Sequence, residues 1–179
     1  RTLEEQDLLE SGVFNLGYGY NGQLDDWFAL LNLGFKYTLL GDSDTHGMTT
    51  TEAGCPRNFV MSLTDDPAYI DDQAVADAVK EHRVVASYGP FVRFWVDDHS
   101  IGDEFQPDDD ELDISIEVQA PSWIGVDRLE LYKNGTLIQE WALEEAVGAT
   151  QLIETTVATV EEDAWFVAVA MGEGDLSPV

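Results

Sequence analysis

Leu112, Ile114, Ile116 and Val118 alternate with Asp113, Ser115, Glu117 and Gln119. A period of two places every apolar side chain on one face and every polar one on the other, the signature of a strand packed on one side only. Leu129 and Leu131 repeat the pattern, and Asn134-Gly135 is the dipeptide a tight hairpin turn demands. Leu137 to Trp141 returns from that turn, and Trp165, Val167 and Val169 alternate again. Short strands separated by turns predict a β-sandwich, with Trp95, Trp123, Trp141 and Trp165 expected in its core, because aromatic rings bury so much area, rather than forming a sugar platform. Leu143 to Val147 is the one stretch there that could be helical. The acidic run Asp108 to Glu111 reads as an exposed turn.

Upstream of Phe91 the pattern differs, since helical and strand-length apolar segments take turns. Thr2 to Ser11 reads as a helix, followed by a turn region with Gly12, Gly17, Gly19 and Gly22. Asp25 or Asp26 can cap a helix bearing Trp27, Phe28, Leu30 and Leu31, and Gly34 stands where a helix stops. Phe35 to Leu40 has the length of a strand, Asn58 to Leu63 reads as another, and Val84 to Ser87 as a third. Between them Asp71 or Asp72 caps a helix that ends near His82. The expected class is therefore α+β: a partial α/β segment over residues 1–95, then a mostly antiparallel β-sandwich over residues 96–179.

Charge narrows the partners. Thirty-six acidic residues against eight basic ones give a net charge of −28, and such a surface repels nucleic-acid phosphates and anionic membranes. No apolar run reaches the length of a membrane-spanning helix, and no basic-apolar leader precedes the first helix. The single cysteine, Cys55, excludes an internal disulfide and a multi-cysteine zinc site. Its expected role is packing. Both ends of the chain read as cut sites within a longer protein.

The residues best suited to chemistry follow the Phe35 to Leu40 run, in Gly41-Asp42-Ser43-Asp44-Thr45-His46-Gly47. A carboxylate and an imidazole two residues apart can face one metal ion, and functional groups of α/β layers sit at the C-terminal ends of strands. Asp42 is a further oxygen donor, or a partner that orients the histidine. The competing reading is an Asx-type turn with a solvated His46. Asp44 and His46 are the candidate metal ligands. Gly17 to Gly22 lacks the Lys-Ser/Thr of a phosphate loop. Clustered oxygens at Asp108 to Glu111 suit calcium but lack the donor spacing of a dedicated loop.

Several strings in order resemble one family. They are Trp27-Phe28-Ala29-Leu30-Leu31-Asn32-Leu33-Gly34, then Gly41 to His46, then Gly54-Cys55-Pro56-Arg57-Asn58-Phe59-Val60. Arg83-Val84-Val85 and Gly89-Pro90-Phe91 follow, and then Ala120 to Ile124 and Val126 to Gly135. Together they resemble the C-terminal portion of metal-dependent phosphoesterases of the PHP (polymerase and histidinol phosphatase) family, with an appended β-sandwich. Glu81-His82 stands where the family pattern has a glycine before Arg-Val.

The resemblance implies a barrel-type α/β segment, divalent zinc, manganese or iron, and a small-molecule phosphoester as substrate. It places Asp44 and His46 as ligands and Arg57 at a position that could hold a substrate phosphate; a structural ion pair is the rival role for Arg57. The family's His-x-His and its further His and Glu ligands have no counterpart among the three histidines here. His82 is expected to cap helix carbonyls, and His99 to sit solvated in a turn. The expectation is a fragment that is inactive alone and holds a metal weakly or not at all. The alternative is a non-catalytic β-sandwich binding module with an α/β stub.

Overall fold

The computed structural model describes residues 23–43, 45–47, 54–121, 123–143 and 151–172. The predicted helix at Thr2 to Ser11, the glycine region before Gln23 and most of the Leu143 to Val147 stretch lie outside them.

Helix α1 spans Gln23–Asn32 and helix α2 spans Asp72–Lys80. Asp25 and Asp26 lie inside the first turn of α1 and complement its dipole rather than capping it. Asp71 does cap α2, its carboxylate accepting from Ala74 N–H at 2.9 Å. Both helices close with the same pair of backbone bonds. Phe35 and Gly34 N–H donate to Leu30 and Leu31 carbonyls, each at 2.9 Å, while Arg83 and His82 N–H donate to Ala78 and Val79 carbonyls at 2.9 and 3.2 Å. This closure needs a left-handed residue just past the helix end. Gly34 supplies it at φ +83° and His82 at φ +63°.

Two strands accompany α2: β1, Arg57–Val60, and β2, Val84–Ser87. They pair antiparallel, with Arg57 opposite Ser87 and Val60 opposite Val84. Seven more strands follow: β3 (Phe91–Val96), β4 (His99–Ser100), β5 (Glu111–Gln119), β6 (Arg128–Lys133), β7 (Thr136–Ala142), β8 (Gln151–Thr159) and β9 (Phe166–Met171). One sheet runs in the order β4-β3-β5-β8 and the other β7-β6-β9, and all their pairings are antiparallel.

A single core joins these two sheets. Leu112, Ile114, Ile116 and Val118 of β5 meet Leu129 and Leu131 of β6, with Val126 beside them. Trp141 packs against this core, but Trp123 does not, being 76% exposed. The Asn134-Gly135 turn joins β6 to β7 with both residues at positive φ. Glu117 is buried on β5 and is matched across the ladder by Arg93, 3.3 Å away. A further buried pair is Tyr132 and Glu130, whose hydroxyl and carboxylate are 2.5 Å apart.

The predicted α+β class with a barrel-type α/β segment is not what forms. The described chain is a small β-rich protein, mostly antiparallel sheet with two short α-helices. Phe35 to Leu40 is extended but belongs to no sheet, and Phe35, Tyr37 and Leu40 are half or more exposed. A buried parallel strand is covered on both faces, and this segment is not. Length and apolarity alone suggested the strand; they do not specify a pairing partner.

The front elements and the two-sheet unit interlock. Phe28 is buried against Tyr132 and Trp165, with ring centroids 5.3 and 4.9 Å apart. Asn32 accepts from Trp165 Nε1 at 2.9 Å and donates to Asn134 O at 3.2 Å. Arg83 bridges to Asp103 at 3.0 Å, and Lys36 to Glu104 at 2.6 Å. Among the described residues, no helix is long and apolar enough to cross a membrane.

Candidate functional site

Segment 35–41 is held at four points that together aim the loop beyond it. Trp27 Nε1 donates to Tyr37 O at 2.7 Å. Lys36 reaches Glu104, and its hydrogen bond, followed by its charge, holds the Glu104 carboxyl below its ordinary value. Thr38 Oγ1 donates to Val79 O at 2.6 Å. That uses its only proton, so the 2.8 Å contact to His82 requires imidazole Nδ1–H to donate. His82 therefore reaches the helix end through Thr38 rather than by capping a carbonyl itself. At the far end Gly41 N–H donates to Asn58 Oδ1, and Asn58 Nδ2 donates to Gly41 O, both at 2.8 Å.

This clamp fixes where the candidate loop begins. A Cβ on Gly41 would lie 3.0 Å from Pro56 Cβ and 3.4 Å from Arg57 O. Gly41, at the base of the Asp42-Ser43 stretch, is thus seated against Pro56-Arg57, about fifteen positions further along the chain. Asp42 and His46 are both exposed, and Ser43 Oγ and Thr45 Oγ1 lie 2.9 Å apart within the same loop. Asp44 lies outside the described residues, so of the predicted ligand pair only His46 is placed. Arg57 is exposed at the start of β1. Among the described residues no ion pair involves Arg57, whereas Lys36, Lys80, Arg83, Arg93 and Arg128 each meet a carboxylate.

Among the described residues no group of three or more His, Cys, Asp or Glu side chains could hold an ion, and the Asp108 to Glu111 run forms no such group. His99 is not solvated in a turn: it lies in β4 and stacks on Phe105, centroids 3.8 Å apart. Cys55 is half-buried with Sγ 3.5 Å from Tyr88 O, in keeping with packing. A broad groove of about 1920 Å³ lies elsewhere, and Asp42, His46 and Arg57 do not line it. Its walls include the inner-facing apolar residues Val92, Phe94, Phe166 and Ala168 of β3 and β9.

Sequence reasoning missed Asn58. The available signal was its type, since asparagine is depleted in strands and here stands between Arg57 and Phe59 in one. No family model, curated protein or solved structure matches the chain.

Proposed function

We propose that this chain forms part of a divalent-metal-dependent hydrolase of phosphoesters, contributing Asp44 and His46 as ligands, Asp42 beside them and Arg57 as an anion-binding group. The observation that carries the reading is the seating of the Gly41-Asp42 loop base against Pro56-Arg57. It brings the base of the loop expected to hold metal against the backbone of Arg57, whose side chain is exposed and forms no ion pair among the described residues. The order of the matching motifs along the chain supports the same reading.

Zinc, manganese or iron would supply polarisation of the phosphoryl oxygens and activation of water. The chain's own part is narrower. Arg57 can grip a phosphate oxygen through its planar fork of donors, and Asp42 can accept from the His46 ring and fix its tautomer. Two protein ligands are fewer than the three that a catalytic zinc ordinarily takes, so the reading requires ligands from outside this sequence. The 179-residue chain should then bind transition metals weakly and hydrolyse no phosphoester.

The test is calorimetric titration of the chain with zinc and with manganese, alongside His46→Ala. Weak uptake that His46→Ala removes supports the reading. Uptake that His46→Ala leaves unchanged contradicts the assignment. The second reading is a non-catalytic binding module. It draws on the continuous core of the two sheets and on Trp123, which stands out from that core.

A further inference from the structure

Asn58 directs both polar groups of its side chain at a single residue. Its carbonyl takes Gly41 N–H and its amino group serves Gly41 C=O, each at 2.8 Å. An amide that satisfies both backbone groups of one residue imitates a neighbouring strand. Segment 35–41 belongs to no sheet, so at Gly41 this side chain stands in for the ladder the segment lacks. On another side the Pro56 ring approaches so closely that a Cβ on Gly41 would meet it at 3.0 Å. Gly41 is therefore fixed in orientation as well as position. It is the residue immediately before Asp42, and Asp44 and His46 lie within the next five.

We propose that Asn58 is the positioning residue of the Asp42 to His46 loop: by orienting the Gly41 peptide against Pro56-Arg57, it sets the direction in which the loop leaves the protein. The functional half of this inference rests on the metal-loop reading above; the mechanical half stands without it. Asn58 itself touches neither metal nor substrate. The pairing of β1 with β2 is carried by backbone, with Asn58 opposite Ala86, so replacing its side chain leaves that ladder in place.

The experiment is NMR of the 179-residue chain as wild type, Asn58→Ala and Asn58→Asp. It reads Gly41 amide exchange, backbone order from Asp42 to Gly47, and zinc-induced shifts of the His46 imidazole. Asn58→Ala removes both bonds, so Gly41 exchange should rise about tenfold or more. Loop order should fall, and the zinc affinity read at His46 should weaken several-fold. Asn58→Asp keeps the acceptor for Gly41 N–H and should restore much of the exchange protection.

Faster Gly41 exchange with unchanged loop order and unchanged zinc response would overturn the proposal and leave Asn58 a local structural bond. Loss of loop order in a chain whose His46 never responds to zinc would support the positioning role and sink the metal reading instead.

Discussion

His82 occupies the left-handed position that ends α2, at φ +63°, where Gly34 serves the corresponding role for α1 at φ +83°. A residue with a Cβ pays roughly 1–2 kcal/mol for that conformation, and glycine does not. Glycine in turn loses about 0.5–1 kcal/mol through the greater freedom of its unfolded chain. His82 offsets its strain through the 2.8 Å bond from Nδ1 to Thr38, a bond worth about 0.5–1.5 kcal/mol net. His82→Ala keeps the strain and loses the bond, so it should cost about 1 kcal/mol. His82→Gly loses the bond and sheds the strain, so it should be more stable than His82→Ala by roughly 0.5–1 kcal/mol. For a chain of this size that separates the two melting temperatures by about 1–4 °C. Thermal unfolding followed by circular dichroism reads the difference. A His82→Ala protein that melts at or above His82→Gly would refute the argument from backbone conformation.

Three other outcomes are expected. Ile116 is fully buried on β5 whereas Val157 is 57% exposed on the neighbouring β8, so Ile116→Ala should cost about 2–5 kcal/mol and Val157→Ala no more than about 0.5 kcal/mol in urea denaturation. The net charge of −28 should make the melting temperature rise with added salt, since screening shortens the range of self-repulsion; a midpoint that stays put between low and high salt would count against it. Lys36, through its hydrogen bond and then its charge, lowers the Glu104 pKa, so this pair's contribution is full above the ordinary carboxylate range and fades as pH falls through the lowered value. Lys36→Gln should return the Glu104 titration, followed by carbon-detected NMR, towards its ordinary position, and an unmoved titration would deny the pairing.

What could be read from the sequence follows from how local each signal is. Alternation over Leu112 to Gln119 fixed a buried face because period two is a property of the strand alone, and those apolar residues are in the core. Asn134-Gly135 and Gly34 were legible because their backbone conformations need those residue types. Phe35 to Leu40 misled because an apolar run says nothing of its partner, and what holds it proved to be separate side-chain bonds, at Tyr37, Lys36 and Thr38 and at Gly41 just beyond, rather than a strand. Trp123 misled in the same way, since ring area favours burial only where the fold offers a pocket. The approach of Gly41 to Pro56-Arg57 joins residues that no local pattern links. His82 was half legible. Its place before Arg83 matched a glycine in the resembling pattern, and the structure supplies the reason in its positive φ.

The most direct test of the proposed activity is hydrolysis of a chromogenic phosphoester, with manganese or zinc added, by the protein in its natural full-length form and by its His46→Ala variant. The account predicts metal-dependent turnover that His46→Ala abolishes while the circular dichroism spectrum stays that of the parent. Normal turnover by His46→Ala would contradict it and leave Asp44-Thr45-His46 as an ordinary surface turn.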